Sequence, residues 1–264
     1  MLLEGKVAVV FGGSGAIGGA VARTFAREGA RVIVAGRTRE KVERVVDDIG
    51  PQATGTLVDA LDEASVEAVA DLALETYGAY DVSLTAVGLD NGDQGIPITE
   101  LGAEAFLRPV REYTTAHYLT ARAAVRRMTD RGGGVILPVS APMARIGTPY
   151  TGPFASAHAA VETMALQVAG EAGEHGVRVV ALRPNGMPDS VTEHGSHVQE
   201  IWGRIAERSG IALEDVLPEV AAGGFTDHTM SVQDVAELAA WTASDRAVAI
   251  TGTVINATGG AVPD

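Results

Sequence analysis

The chain of 264 residues contains no cysteine, which excludes disulfides, thiolate zinc sites and cysteine nucleophiles. Lysine is nearly as scarce. Lys6 and Lys41 are the only two, so a mechanism that needs a lysine late in the chain has none to use. Cations of either kind are few: 20 basic residues against 34 acidic ones leave a formal charge of −14, which opposes nucleic acid and anionic membrane surfaces as partners. No stretch reaches the ~18 consecutive apolar residues of a membrane span. The first residues also lack the charged-then-apolar pattern of an export signal. These absences point to a cytoplasmic protein that handles a small molecule.

What the sequence does have is concentrated at residues 6–19, KVAVVFGGSGAIGG. The apolar, β-branched run Val7 to Phe11 reads as a strand, the glycines as a turn that lets backbone approach a ligand, and the segment from Ala16 as a helix. A helix start leaves N–H groups unpaired and favours anions, so the turn suits the pyrophosphate of a dinucleotide, with Gly12, Ser14, Gly15, Ile17 and Gly18 around it. A second apolar run, Arg31 to Ala35, ends in Gly36-Arg37-Thr38. An acidic residue at that point would hold the ribose of NAD. Here Gly36 stands in its place, and Arg37 offers a planar cation to a 2′-phosphate, which favours NADP(H).

Alternation continues down the chain. Helical spacing over 39–49 and 63–77 separates strands at 53–58 and 81–87. A long helix is expected from Ala103 to about Arg131, interrupted at Pro109, then a strand at 135–140 in which Pro138 demands a bulge or a missing ladder bond. A helix over 154–174, a strand at 177–182, a helix over 233–244 and a strand at 251–257 complete it. The pattern predicts one α/β domain over 1–264, a Rossmann-type doubly wound parallel sheet of about seven strands with helices on both faces. Ligands then sit at the carboxyl ends of the strands. Residues 184–230 form a long excursion carrying Trp202, Ile205, Val216, Leu217 and Phe225, which reads as a lid over an apolar-walled substrate pocket.

Across essentially its whole length the chain resembles the short-chain dehydrogenase/reductase family. The resemblance is carried by FGGSGAIG, by Asp59 after the third strand, by Ala155-Ser156-Ala157 at a helix start, by VRVVALRPNGM and by the tail TASDRAVAITGTVINATGG. It implies a nicotinamide site that adds Asp59, Ala60, Val87, Gly88, His158, Pro184 and Met187 to the residues above. It also implies a homo-oligomer, dimer or tetramer, through the alanine-rich helix 154–172 and the long helix before it. The family's catalytic residues do not carry over. Its tyrosine falls on Phe154, its lysine on His158, its serine on Ala141 and its asparagine on Tyr113.

Phe154 has no ionisable proton and Ala141 no polar side chain, so ordinary ketone reduction loses its proton source. General acid help is worth ~10²–10⁴-fold, and its loss slows a reductase without forbidding reduction. Tyr77 and Tyr80 precede the fourth strand, at the wrong end of the sheet. The replacement expected is the Tyr113 hydroxyl aided by His158, with Tyr150 as runner-up and Ser140 in reserve if Pro138 imposes a bulge. His194 and His197 lack a third ligand and read as solvated histidines, with no metal. The sequence therefore points to an NADP(H)-dependent oxidoreductase with an atypical proton source, acting on a small or medium apolar carbonyl, alkene or imine. A silent binding or regulatory relative, and a non-redox isomerase or cyclase, stay open as alternatives.

Overall fold

The structure is a computed structural model that describes residues 1–90, 92–194 and 198–262. Its strands are β1 (Val7–Phe11), β2 (Arg31–Gly36), β3 (Ala53–Leu57), β4 (Val82–Thr85), β5 (Gly134–Pro138), β6 (Val177–Pro184) and β7 (Thr253–Ala257). They form one parallel sheet in the order β3-β2-β1-β4-β5-β6-β7. The main helices are α1 (Ala16–Arg27), α2 (Arg39–Ile49), α3 (Glu63–Tyr77), α4 (Ala103–Met128) and α5 (Gly152–Ala172). They are followed by α6 (Asp189–Thr192), α7 (Val198–Ser209), α8 (Leu213–Ala221) and α9 (Val232–Ala243).

β1 and β4 are buried at every residue, as strands covered on both faces must be, and this explains their unbroken apolar runs. One face packs against α1 and α9 through Val10, Val21, Phe25, Val34, Leu84, Ala236 and Ala240. The other packs against α3, α4 and α5 through Val9, Phe11, Ile33, Val66, Ala124 and Ala165. Chain order reverses between β1 and β4, and at such a switch point the connections leave in opposite directions and open a crevice above the strand ends.

Two prolines behave differently from expectation. α4 runs through Pro109 without interruption. The ring removes the bond to the Ala105 carbonyl one turn back, and Gly92, at φ +71, lies so close to that carbonyl that a Cβ there would come within 2.6 Å of it. Pro138 creates no bulge. Gly134 to Ile136 pair with Val177 to Val179, and Val139 pairs with Leu182 in the same register, so the proline only leaves a gap in the ladder.

Candidate functional site

A cleft of about 480 Å³ runs along the carboxyl ends of the strands. At its floor the β1–α1 turn is fixed by close backbone approach. Gly12 sits at φ +78 with room for no Cβ, which would lie 2.3 Å from the Ala86 carbonyl, and a Cβ on Gly18 would lie 2.2 Å from that of Gly12. α1 begins after Gly15 with no side chain capping it, so its first N–H groups remain for an anion. Of the residues expected to hold cofactor, Gly12, Ser14, Gly15, Ile17, Arg37, Asp59, Ala60, Val87, Gly88, His158, Pro184 and Met187 all line the cleft. Gly18 does not line the cleft; it packs against the Gly12 backbone behind the turn.

Beyond β2, Arg37 donates to the Gly88 carbonyl at 2.8 Å, reaching across the switch point. Gly36 is tightly packed, since a Cβ there would lie 2.4 Å from the Ser14 Oγ, which would have to swing aside. Lys41 and Arg44 reach the same end of the cleft, three residues apart on one face of α2, and form no ion pair among the described residues. Sequence reasoning missed both. Two cations at helical spacing directly after Arg37 were the available signal. Asp59 is drawn into a local turn, with Oδ1 accepting from the Leu61 N–H at 2.9 Å.

At the other end three rings occupy the place of the family's hydroxyl and ammonium groups. The Tyr113 and His158 centroids are 4.9 Å apart, and Phe154 stands edge-on to His158 at 4.2 Å and to Tyr113 at 6.2 Å. Tyr113 and His158 are buried, and neither His158 nitrogen has a hydrogen-bond partner. Burial in this apolar cluster, reinforced by His117 nearby, pushes the His158 imidazole down to about 3. The expected sharing of a proton between Tyr113 and His158 is therefore not made, because no hydrogen bond joins them. The Tyr113 hydroxyl instead accepts from the Leu89 N–H at 3.5 Å.

Ser140 is also spoken for. Its Oγ donates to Glu162 Oε1 at 2.7 Å, and Glu162 is held by both Arg183 Nε and Nη2 at 2.8 Å in a buried ion pair. Without a bulge at Pro138 its proton stays committed to that carboxylate. Tyr150 lies outside the cleft, 46 % exposed and at φ +67, beside Ile96, Pro97 and Ile98. Tyr118 is exposed, with Arg122 against its ring. His117, one turn after Tyr113, is a buried ring that sequence reasoning passed over. Its Nδ1 lies 2.9 Å from the Tyr113 carbonyl, its Nε2 has no partner, and burial pushes it down to about 4.

Met187, Val191, Trp202 and Leu217 close this end from 184–230, whereas Phe225 is 87 % exposed and takes no part. His194 lines the mouth, and His197 lies outside the described residues. Among the described residues no group of three metal-ligating side chains occurs, and no helix is long and apolar enough to cross a membrane.

The fold and the cleft define a dinucleotide-binding protein of the doubly wound class. The cradle that a Cβ would fill at Gly12 and the two orphaned nitrogens of His158 both fit a nicotinamide dinucleotide. The family described as short chain dehydrogenase matches residues 6–199, and the chain belongs to it. Members of this family bind a nicotinamide cofactor and act on small molecules. The chain is 30% identical over 268 residues to (+)-cis,trans-nepetalactol synthase of Nepeta racemosa, covering 98% of this chain and 94% of that protein. It is 29% identical over 270 residues to (-)-isopiperitenol/(-)-carveol dehydrogenase of Mentha piperita, with 98% and 94% covered. The crystal structure of sorbitol-6-phosphate 2-dehydrogenase from Erwinia amylovora superposes with a TM-score of 0.86 at 28% identity, over 97% of this chain and 100% of that one.

Proposed function

We propose that the protein is an NADP(H)-dependent oxidoreductase acting on a small or medium apolar carbonyl, alkene or imine. The observation that carries this reading is one continuous cleft with Arg37, Lys41 and Arg44 at one end and the apolar rings of Tyr113, Phe154 and Trp202 at the other. Arg37, Lys41 and Arg44 bind the 2′-phosphate, the start of α1 binds the pyrophosphate, and a His158 nitrogen takes a nicotinamide ribose hydroxyl as the family's lysine does. When bound, the nicotinamide supplies or takes the hydride. The chain orients both partners and excludes water with Met187, Val191, Trp202 and Leu217, the inner face of a lid formed by 184–230 in a single domain. The Tyr113 hydroxyl remains as the proton source. The outer faces of α4 and α5, with exposed Leu107, Tyr118 and Leu166, are the surface for a homo-oligomer, and the protein works in the cytoplasm.

Turnover of NADPH against NADH over a panel of apolar acceptors tests the reading. NADPH-selective consumption supports it, and equal use of NADH refutes the role of Arg37. A second reading, isomerisation or ring closure in the same cleft, is favoured by the likeness to a nepetalactol synthase and by Phe154 and Ala141. Product formed from an apolar substrate without net consumption of cofactor establishes it instead. Binding of NADPH without turnover of any substrate favours a silent cofactor-sensing protein.

A further inference from the structure

Residues 92–95, on the connection from β4 to α4, form a strap that is held at both ends. Gly92 lies against the Ala105 carbonyl of α4, and its N–H donates to Asp90 Oδ1 at 2.8 Å. Gly95, at φ +84, is covered by the Arg208 side chain of α7, whose Cδ would lie 2.7 Å from a Cβ there. Its N–H donates to the Tyr150 carbonyl at 3.1 Å. Between the two glycines stands Gln94. Its N–H donates to the Gly92 carbonyl at 3.0 Å, and its own carbonyl accepts from Arg208 Nη1.

Gln94 is 2 % exposed and lines the cleft. Because α7 also carries Trp202, another lining residue, the Arg208 bond ties Gln94 to the lid. Leu89, Met187, Val191, Trp202 and Leu217 make this end of the cleft largely apolar, and in such pockets a few placed polar groups orient the ligand. An amide gives two hydrogen bonds and accepts two, so a bond within the protein leaves capacity for a ligand. The distance from the reacting end follows from α4. Tyr113 comes eight residues after Ala105, which sets the strap about 12 Å from it along the helix axis. Side chains on a helix lean toward its N-terminus, which brings the Tyr113 hydroxyl up to the Leu89 N–H and shortens the gap to roughly 10 Å.

We propose that Gln94 reads the outer end of the substrate, and that the substrate is an elongated apolar molecule with a neutral oxygen function roughly 10 Å from the carbon that exchanges hydride. Arg208 is the positioning residue that sets Gln94 from the lid. This rests on the reading of the cleft as an oxidoreductase site. A hydroxyl or a carbonyl suits an amide, which can donate to either and accept from the first. An anionic group is not favoured, since the cations among the described lining residues, Arg23, Arg37, Lys41 and Arg44, all belong to the α1–α2 end.

The test follows cyclohexanones substituted opposite the carbonyl by calorimetry, with oxidised cofactor present and again without cofactor. The hydroxybutyl compound spans the inferred distance and the pentyl compound is its apolar isostere; the hydroxymethyl and ethyl compounds form the short pair, and the carboxypropyl compound carries an anion. Gln94→Leu is expected to weaken the hydroxybutyl compound roughly fivefold, the worth of one neutral hydrogen bond, without weakening the pentyl compound or either of the short pair. In turnover the same variant should raise KM for the hydroxybutyl ketone and leave its kcat unchanged, as loss of a contact remote from the chemistry does. Arg208→Leu should lower the preference for hydroxybutyl over pentyl as Gln94→Leu does, and Arg208→Lys should restore it. Equal losses for the hydroxybutyl and pentyl compounds would make Gln94 a packing residue and overturn the proposal. So would an effect on the hydroxymethyl compound, a preference for the carboxypropyl compound, or binding of none of the series. In each of these cases NADPH still binds and the cofactor reading stands. Failure of NADPH to bind removes that reading, and the cofactor-free calorimetry then decides the role of Gln94 separately.

Discussion

Acidification of the cofactor-free protein to about pH 5 should cost it about 3 kcal/mol through His117 and His158. His117 faces the carbonyls of Tyr113, Val139 and Thr85, and His158 faces Tyr113, Phe154 and His117. In the fold they titrate near 4 and 3, against 6.5 for an unburied imidazole. Between those values the unfolded chain holds more protons than the folded one. Stability is therefore present in full above about pH 6.5 and is lost as pH falls toward the folded pKa values. Each ring contributes at most about 1.4 kcal/mol per pH unit, or about 1.6 kcal/mol between pH 6.5 and 5, and the pair about twice that. Urea denaturation at several pH values in this window, for the natural protein and for His117→Gln and His158→Phe, isolates the effect from carboxylates, which titrate lower. The slope should fall by about half in each variant. Equal slopes in all three proteins would show that the imidazoles are hydrated in the native state and would refute their burial.

Further consequences can be checked separately. Arg37→Ala, Lys41→Ala and Arg44→Ala should each weaken NADPH binding by roughly fivefold to tenfold, in keeping with ~1 kcal/mol for an exposed charged contact, and leave NADH unchanged by fluorescence titration. Gly36→Asp should not convert the protein to NADH, because its Cβ meets the Ser14 Oγ at 2.4 Å; loss of both cofactors is expected, and a clean switch would contradict the packing. Arg183→Leu should cost about 3–5 kcal/mol in urea denaturation by leaving Glu162 buried and unpaired. Ser140→Ala should cost about 1 kcal/mol and leave turnover within a factor of a few, whereas an ~100-fold loss would restore Ser140 as a catalytic group.

The sheet was legible because its signals are local. β1 announces itself by a β-branched run and glycines, and Gly12 and Gly18 are required by backbone contacts that no side chain can relieve. The cleft at the strand ends was legible as well, since Arg37 and Asp59, which line it, stand at strand ends whose position alternation fixes. What failed depends on contacts distant in sequence. Nothing near Ser140 shows that Glu162, 22 residues on, takes its proton, or that Arg183 holds that carboxylate in turn. Pro138 signals a broken ladder but not whether register shifts, and register is set by the pairing of β5 with β6. Tyr113 and His158 were correctly placed together, but the hydrogen bond between them depends on ring orientation, which Phe154 decides from the same helix as His158. Tyr150 failed because its backbone, at φ +67, turns the ring to the surface.

The most direct measurement is titration of the purified protein with NADPH and with NADH, following nicotinamide fluorescence and thermal stability together. Saturable binding of NADPH at least tenfold tighter than NADH, with a matching rise in melting temperature, is the predicted result. Binding of neither, or of both alike, would contradict the account of Arg37, Lys41 and Arg44 as the 2′-phosphate end of the cleft.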